Sequence, residues 1–265
     1  MAENIRIGIT ERGDAGIDLS WVRKTGQCNG VIAITKNLTS NAAEEILKLH
    51  KNGYPCILHA TCTGWGATRI EPNVPRPENQ IQSVMNLIHA GFPMKNVVLR
   101  IDPIIPSEDG LNRVHRVVKI AMDTGLDFNK ARIRISVLDE YRHVKARLQA
   151  AGLHTIYPGS DFYAKPENFR YVTQNLREIQ TEIARRQNIA PKFRCCAEPA
   201  LTDQDLYVQT GCVSDEDLAI MGLNYSHTGI NPQNRNGCKC LQCKYELLEN
   251  RHRCPHQCIY CYWKD

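Results

Sequence analysis

The chain has 265 residues, 42% of them hydrophobic and 23% charged, and a formal net charge of +5. That length can bury a large core, and so mild a basic excess excludes the dense charge stripe of a dedicated nucleic-acid-binding module. No apolar run of about 18 residues is available to cross a membrane, and the Met-Ala-Glu-Asn start lacks the basic and apolar regions of a secretion signal, so a cytoplasmic protein without membrane contact is expected.

Short β-branched runs alternate with longer amphipathic segments along most of the chain. Residues 5–10, 30–35, 56–62, 97–102, 131–137 and 193–198 read as strands, and 218–223 is a seventh candidate. Helical spacing occupies 40–52, with Ser40 as N-cap, then 77–91, 111–125, 140–152 and 166–187. Such repetition predicts an α/β fold of parallel strands and crossover helices: a (β/α) TIM-like barrel, closed or partial, over residues 1–225. From 226 to 265 the chain turns polar and Cys-rich, with one short helical stretch at 245–250. This extension is too poor in apolar residues to fold alone, so it is expected to bind a metal and pack on the barrel rim.

In a parallel barrel, reactive side chains gather where strands run into the following loops. Reading past each strand gives Glu11, Arg12 and Asp14, then Lys36, then Thr63, Trp65, Glu71 and Asn73. Arg100 and Asp102, Ser136, Asp139 and Tyr141, and Glu198 complete the rim. Each has a plain structural explanation: Asp139 as a helix cap, Arg100 and Asp102 as an ion pair on one strand face. Together they suit a zwitterionic, hydroxyl-rich ligand. Arg100, Asp102, Asp139 and Glu198 are the catalytic candidates; Arg12, Lys36, Thr63, Glu71, Ser136 and Tyr260 are the cofactor-binding candidates. The basic clusters at 142–147 and 251–253 read as solvated helix faces.

Six of the twelve cysteines fall between 238 and 261, a density that points to metal and not to a disulfide framework. Cys254, Cys258 and Cys261 form CxxxCxxC with Tyr260 before the last cysteine. Three thiolates leave one iron of a [4Fe–4S] cluster open, and Tyr260 is placed to stack on an adenine. Zinc is the competing reading, because Cys240 and Cys243 with Cys258 and Cys261 have the spacing of a zinc ribbon. Cys238, Cys240 and Cys243 form a candidate second site for another cluster or a zinc ion.

The CxxxCxYCY run resembles the cluster motif of the radical S-adenosylmethionine (SAM) superfamily. The chain as a whole resembles an uncharacterised bacterial domain family that carries this motif at its C-terminal end. The resemblance rests on ITERGD at 9–14, TKN at 35–37, TGWG at 63–66, IEPNVP at 70–75 and RIDPI at 100–104. CAE at 196–198, GC at 211–212 and CxC at 238–240 extend it. It implies a [4Fe–4S] cluster on Cys254, Cys258 and Cys261, with SAM on the open iron. Reductive cleavage would then give a 5′-deoxyadenosyl radical that abstracts hydrogen from a small-molecule or nucleic-acid substrate. An electron donor such as flavodoxin or ferredoxin follows from that chemistry. Two alternatives stand beside it: a nucleic-acid lesion-repair or base-modifying enzyme contacting its substrate through Trp65, Tyr141 and Arg142, and a non-catalytic interaction protein stabilised by zinc or a cluster.

Overall fold

The computed structural model describes residues 5–153, 166–223, 229–230, 237–249 and 254–263. Eight strands form one parallel sheet: β1 (Ile7–Ile9), β2 (Gly30–Thr35), β3 (Cys56–Thr61), β4 (Val97–Ile104), β5 (Arg132–Val137), β6 (Phe193–Cys195), β7 (Tyr207–Gln209) and β8 (Lys244–Glu246). Their order is β7-β6-β5-β4-β3-β2-β1-β8, and every pairing is parallel. No ladder joins β7 to β8 among the described residues. Beyond the strands, however, Leu241 N–H donates to Val213 O at 3.1 Å, linking the segment before β8 to the one after β7.

Parallel strands buried on both faces require apolar residues at nearly every position, which is how GVIAIT and CILHAT read. Alternation then sorts them. Val31, Ala33, Leu58, Leu99 and Ile133 face the helices α1 (Ser40–Lys51), α2 (Pro77–His89), α3 (Glu108–Asp123) and α5 (Pro166–Gln187), meeting Ile46, Val84, Val117 and Leu176. The helix α4 (Arg142–Ala150) packs instead through Val144 and Leu148 in a smaller cluster with Trp65, Ile70 and Tyr260. Thr39, and not Ser40, caps α1, accepting from Ala42 N–H; Ser107 caps α3 in the same way.

The opposite face carries Ile7, Ile9, Ile32, Ile57 and Val98, and it is covered by Leu218 and Met221. Those two belong to a helix, α6 (Asp215–Met221), where the apolar run at 218–223 predicts a strand. A Ser214–Asp217 capping box starts that helix, and Gly222 ends it at φ 71°. Seven helical residues are too few for periodicity to show. The stretch at 245–250 likewise departs from its helical reading: Lys244–Glu246 is β8, with register Ile7↔Lys244 to β1, and residue 250 lies outside the described residues. Thus the Cys-rich segment supplies an edge strand to the sheet.

α6 closes the N-terminal end of this face. Gly30, at the start of β2, approaches Met221 Sδ so closely that a Cβ there would sit 2.8 Å away. Arg132 from β5 donates to Asp217 at 2.6 Å, Arg134 lies 3.8 Å from the same carboxylate, and Arg194 pairs with Glu216 at 2.6 Å. Burial and the nearby Arg134, Arg100 and Arg132 push the His59 pKa well down, so the imidazole packs there in its neutral form. With one end plugged by a helix and its charges paired, the C-terminal end of the strands is the face available for a site. Among the described residues, no helix is long and apolar enough to cross a membrane.

Asp217 is fully buried, and its removal leaves the buried Arg132 with only the more distant Glu216 carboxylate, at 3.6 Å. Asp217→Ala is therefore expected to cost about 3–5 kcal/mol of unfolding free energy in urea titrations; a loss below about 1 kcal/mol would mean that solvent reaches this floor.

Candidate metal centre and cavity

The segment 254–263 lies across the C-terminal ends of the strands and is fastened there by polar groups from the loops after β1, β2 and β3 and from α4. From the loop after β1, Asp14 meets His256 Nε2 at 2.6 Å. Asn73, after β3, donates from Nδ2 to Pro255 O at 2.7 Å, and its carbonyl lies 3.2 Å from His256 Nδ1. Ile259 N–H donates to Ile70 O at 3.0 Å. Arg147 of α4 donates to the carbonyls of Ile259 at 2.8 Å and Cys261 at 2.6 Å. The basic cluster around Arg147 is thus in part an anchor for the tail and not only a solvated face.

The deepest fastening is a buried polar knot. Lys36, after β2, donates to Glu71 at 2.9 Å, to the Tyr260 hydroxyl at 2.8 Å and to Asp102 O at 3.3 Å. Tyr260 also donates to Glu71, whose second oxygen accepts from Thr63 at 2.7 Å. Burial opposes charge on both ionised partners, yet each is held in its charged form. Lys36 is raised by Glu71 and by the neighbouring Cys258. Glu71 is held below the usual carboxylate range by Lys36, Tyr260 and Thr63.

Between tail and strand ends lies a cavity of about 240 Å³. Arg12, Lys36, Arg100, Asp102, Ser136 and Asp139 line it from the rim, and Cys254, Cys258, Tyr260 and Cys261 line it from the tail. Glu71, Thr63 and Glu198 stand behind this wall and do not line it. Arg100 and Asp102 are the ion pair their spacing suggests, with Nε 2.7 Å from Oδ2. Burial alone would lower the Arg100 pKa, but Asp102 first and then Cys212 and Glu11 raise it. Glu198 accepts from Ser136 at 2.9 Å and from Val137 N–H at 2.6 Å; burial nevertheless pushes its carboxyl up to about 8. Trp65 is buried beneath Arg113, whose guanidinium lies 4.1 Å from its ring, so it offers no surface to a nucleic acid. Tyr141 stacks with Tyr262 of the tail at 5.5 Å.

Two sets of thiols approach this cavity, and their packing differs. Cys254, Cys258 and Cys261 are electrostatic neighbours, but among the described residues they form no group with all sulfurs within 4.8 Å. Burial pushes the Cys258 thiol up to about 12, with Lys36 pulling it back. Gln257, just before Cys258, holds a left-handed φ of 57°, a conformation that costs energy outside glycine. The other set does satisfy that spacing: the sulfurs of Cys196, Cys238 and Cys240 all lie within 4.8 Å of one another and could hold a metal. Cys243 is not one of those three; it packs among apolar residues, and burial pushes its thiol up to about 11. Cys196 escapes a reading by spacing because it joins the group through the fold, not through the sequence.

A family model described as "Domain of unknown function (DUF1848)" matches residues 19–263. No curated protein matches the chain.

Glu71→Ala strands the Lys36 ammonium beneath the tail, a defect worth about 3–5 kcal/mol. Hydrogen exchange should quicken at the Ile259 and Cys261 amides while the amides of the β2–β3 and β3–β4 ladders keep their protection. Uniform acceleration would show that the knot supports the sheet and not the tail.

Proposed function

Given that the chain belongs to the DUF1848 domain family, we propose that it is an iron–sulfur enzyme of radical SAM type. The observation that carries this reading is the convergence of Cys254, Cys258 and Cys261 on the same cavity as the charged strand-end residues. The parallel strand order, with Leu241 bonded to Val213 across its two edges, supports reading the sheet as a (β/α) barrel. Active sites of such barrels lie at the C-terminal ends of the strands.

The donor set fits a [4Fe–4S] cluster better than a single ion. Three thiols face the cavity, their sulfurs are spread wider than one tetrahedral ion requires, and no fourth thiol belongs to the tail motif. Cys254, Cys258 and Cys261 would hold the cluster, whose chemistry there would be one-electron reduction of SAM. The remaining work falls to the chain itself. Lys36, Glu71, Thr63 and Tyr260 hold the cysteine loop against the strands, so its position is set by the strand ends. Asp102 and Asp139 offer anionic groups for an ammonium, while Arg12 and Arg100 offer cationic groups for a carboxylate; all four line the cavity. Ser136, held by Glu198, presents a hydroxyl among them. Tyr260, its hydroxyl tied into the knot and its ring packed against the cluster around Ile70, lines the cavity and is the aromatic group on which an adenine would pack. His256, Cys258 and Tyr260 of the tail are buried and shield the cavity on that side. A small-molecule substrate is favoured, because the cavity between rim and tail is only about 240 Å³ and Trp65 is unavailable at the surface. A flavodoxin or ferredoxin would deliver the electron.

Anaerobically purified protein should be brown and should form 5′-deoxyadenosine from SAM under dithionite. Cys258→Ala should lose the iron and this product by at least about tenfold while circular dichroism stays unchanged. A fully clustered protein that makes no 5′-deoxyadenosine would refute the SAM assignment.

A further inference from the structure

Four cysteines meet where the two edges of the sheet approach each other, and only two of them belong to the dense C-terminal run. Cys196 follows β6, Cys212 follows β7, and Cys238 and Cys240 lie in the segment that leads into β8. The sulfurs of Cys196, Cys238 and Cys240 all lie within 4.8 Å of one another. The Cys212 backbone N–H points at Cys240 Sγ from 3.2 Å, which brings Cys212 against this group. The backbones themselves are in close contact: a Cβ on Gly211 would come within 2.5 Å of Cys240 Cα, so only glycine permits the approach. Ala197, immediately after Cys196, takes a left-handed φ of 57°, a strained turn at the point where the chain delivers that sulfur.

We infer that Cys196, Cys212, Cys238 and Cys240 form a tetrathiolate site for a single zinc ion, which staples the β7 edge of the sheet to the β8 edge. The inference stands apart from the cluster reading, because none of its four ligands belongs to the tail motif. Spacing decides between an ion and a cluster. Zinc–sulfur bonds of about 2.3 Å place the four sulfurs of a tetrahedron roughly 3.8 Å apart. A cubane puts each thiolate on a different iron and spreads the sulfurs wider. Three of the sulfurs, those of Cys196, Cys238 and Cys240, lie within 4.8 Å of one another, close enough to converge on one ion, and Cys212 is the nearby thiol that would complete the four. Cys196, Cys212 and Cys240 are buried, as the ligands of a structural site are. Donors surround the sulfurs as well: Arg100 Nη1 lies 3.8 Å from Cys212 Sγ and Lys244 Nζ lies 4.0 Å from Cys240 Sγ. Such outer contacts orient thiolate ligands and temper their charge.

The site also answers a structural need. β7 and β8 are three residues each, and no ladder joins them among the described residues. Leu241 N–H to Val213 O and the Cys212 N–H to sulfur contact are the polar links seen across that seam. A metal bonded to both edges would fix what short strands leave loose, with its binding energy acting as folding energy.

The test is metal analysis of the full chain, produced with zinc and iron both supplied. About one zinc per chain is expected, retained when Cys254, Cys258 and Cys261 are all changed to Ala and the iron is lost. Cobalt exchanged into the parent protein should show the ligand-field and thiolate charge-transfer bands of a tetrahedral tetrathiolate. Cys212→Ser should weaken those charge-transfer bands and shift the ligand-field bands. The cobalt spectrum of the parent protein does not depend on whether a variant folds. A folded chain without zinc, iron in place of zinc at these four sulfurs, or a cobalt spectrum unmoved by Cys212→Ser would overturn the proposal. Iron on the tail triad is read separately, so failure of the cluster assignment leaves this result distinguishable.

Discussion

The arrangement of the site depends on one buried polar knot, Lys36–Glu71–Tyr260 with Thr63 behind it. An ammonium and a carboxylate removed from water together are stable only if their remaining hydrogen-bonding capacity is met, and here each partner is supplied by a different strand end or by the tail. The knot therefore closes only when 254–263 lies in one position across the strands. Asp14–His256 and Arg147 add directional contacts on either side, but neither joins a cation, an anion and a tail hydroxyl at one point. The three tail cysteines inherit their place from this fastening.

The two ends of the sheet are treated in opposite ways. At the N-terminal end, α6 lies over the apolar face, and its acidic residues neutralise Arg132 and Arg194. At the C-terminal end, charged residues of both signs surround a cavity, and the cover is a tail fastened by polar contacts that also packs Cys258 and Tyr260 against Trp65 and Ile70. A core that needed only stability would favour the first solution at both ends. Arg100 and Asp102 are paired with each other, yet both line the cavity beside Arg12 and Asp139, and such a gathering of charged groups round a cleft marks a binding site.

Much of this was legible in the sequence. The β2 to β5 strands announce themselves because burial on both faces forces continuous apolar runs, and the helices between them show clear three-and-four spacing. Rim residues follow from strand ends, since a parallel sheet sends every strand end to one side. The tail triad is legible because its ligands are neighbours in the chain. Other features escape for physical reasons. β7 and β8 are too short to show a period, and α6 is a single pair of turns whose apolar residues read equally well as a strand. Cys196 and Cys212 lie far in sequence from Cys238 and Cys240, and only strand order brings them together. Arg147 looks like part of a solvated helix face until the tail's carbonyls are seen above it.

Anomalous diffraction from anaerobically grown crystals, collected on both sides of the iron edge, tests most directly whether the tail carries a cluster to the strand ends. Iron density bound by Cys254, Cys258 and Cys261, with one side open to the cavity beside Arg100 and Asp102, is the expected result. Zinc at those three sulfurs, or iron with a fourth protein ligand closing it off from the cavity, would contradict it.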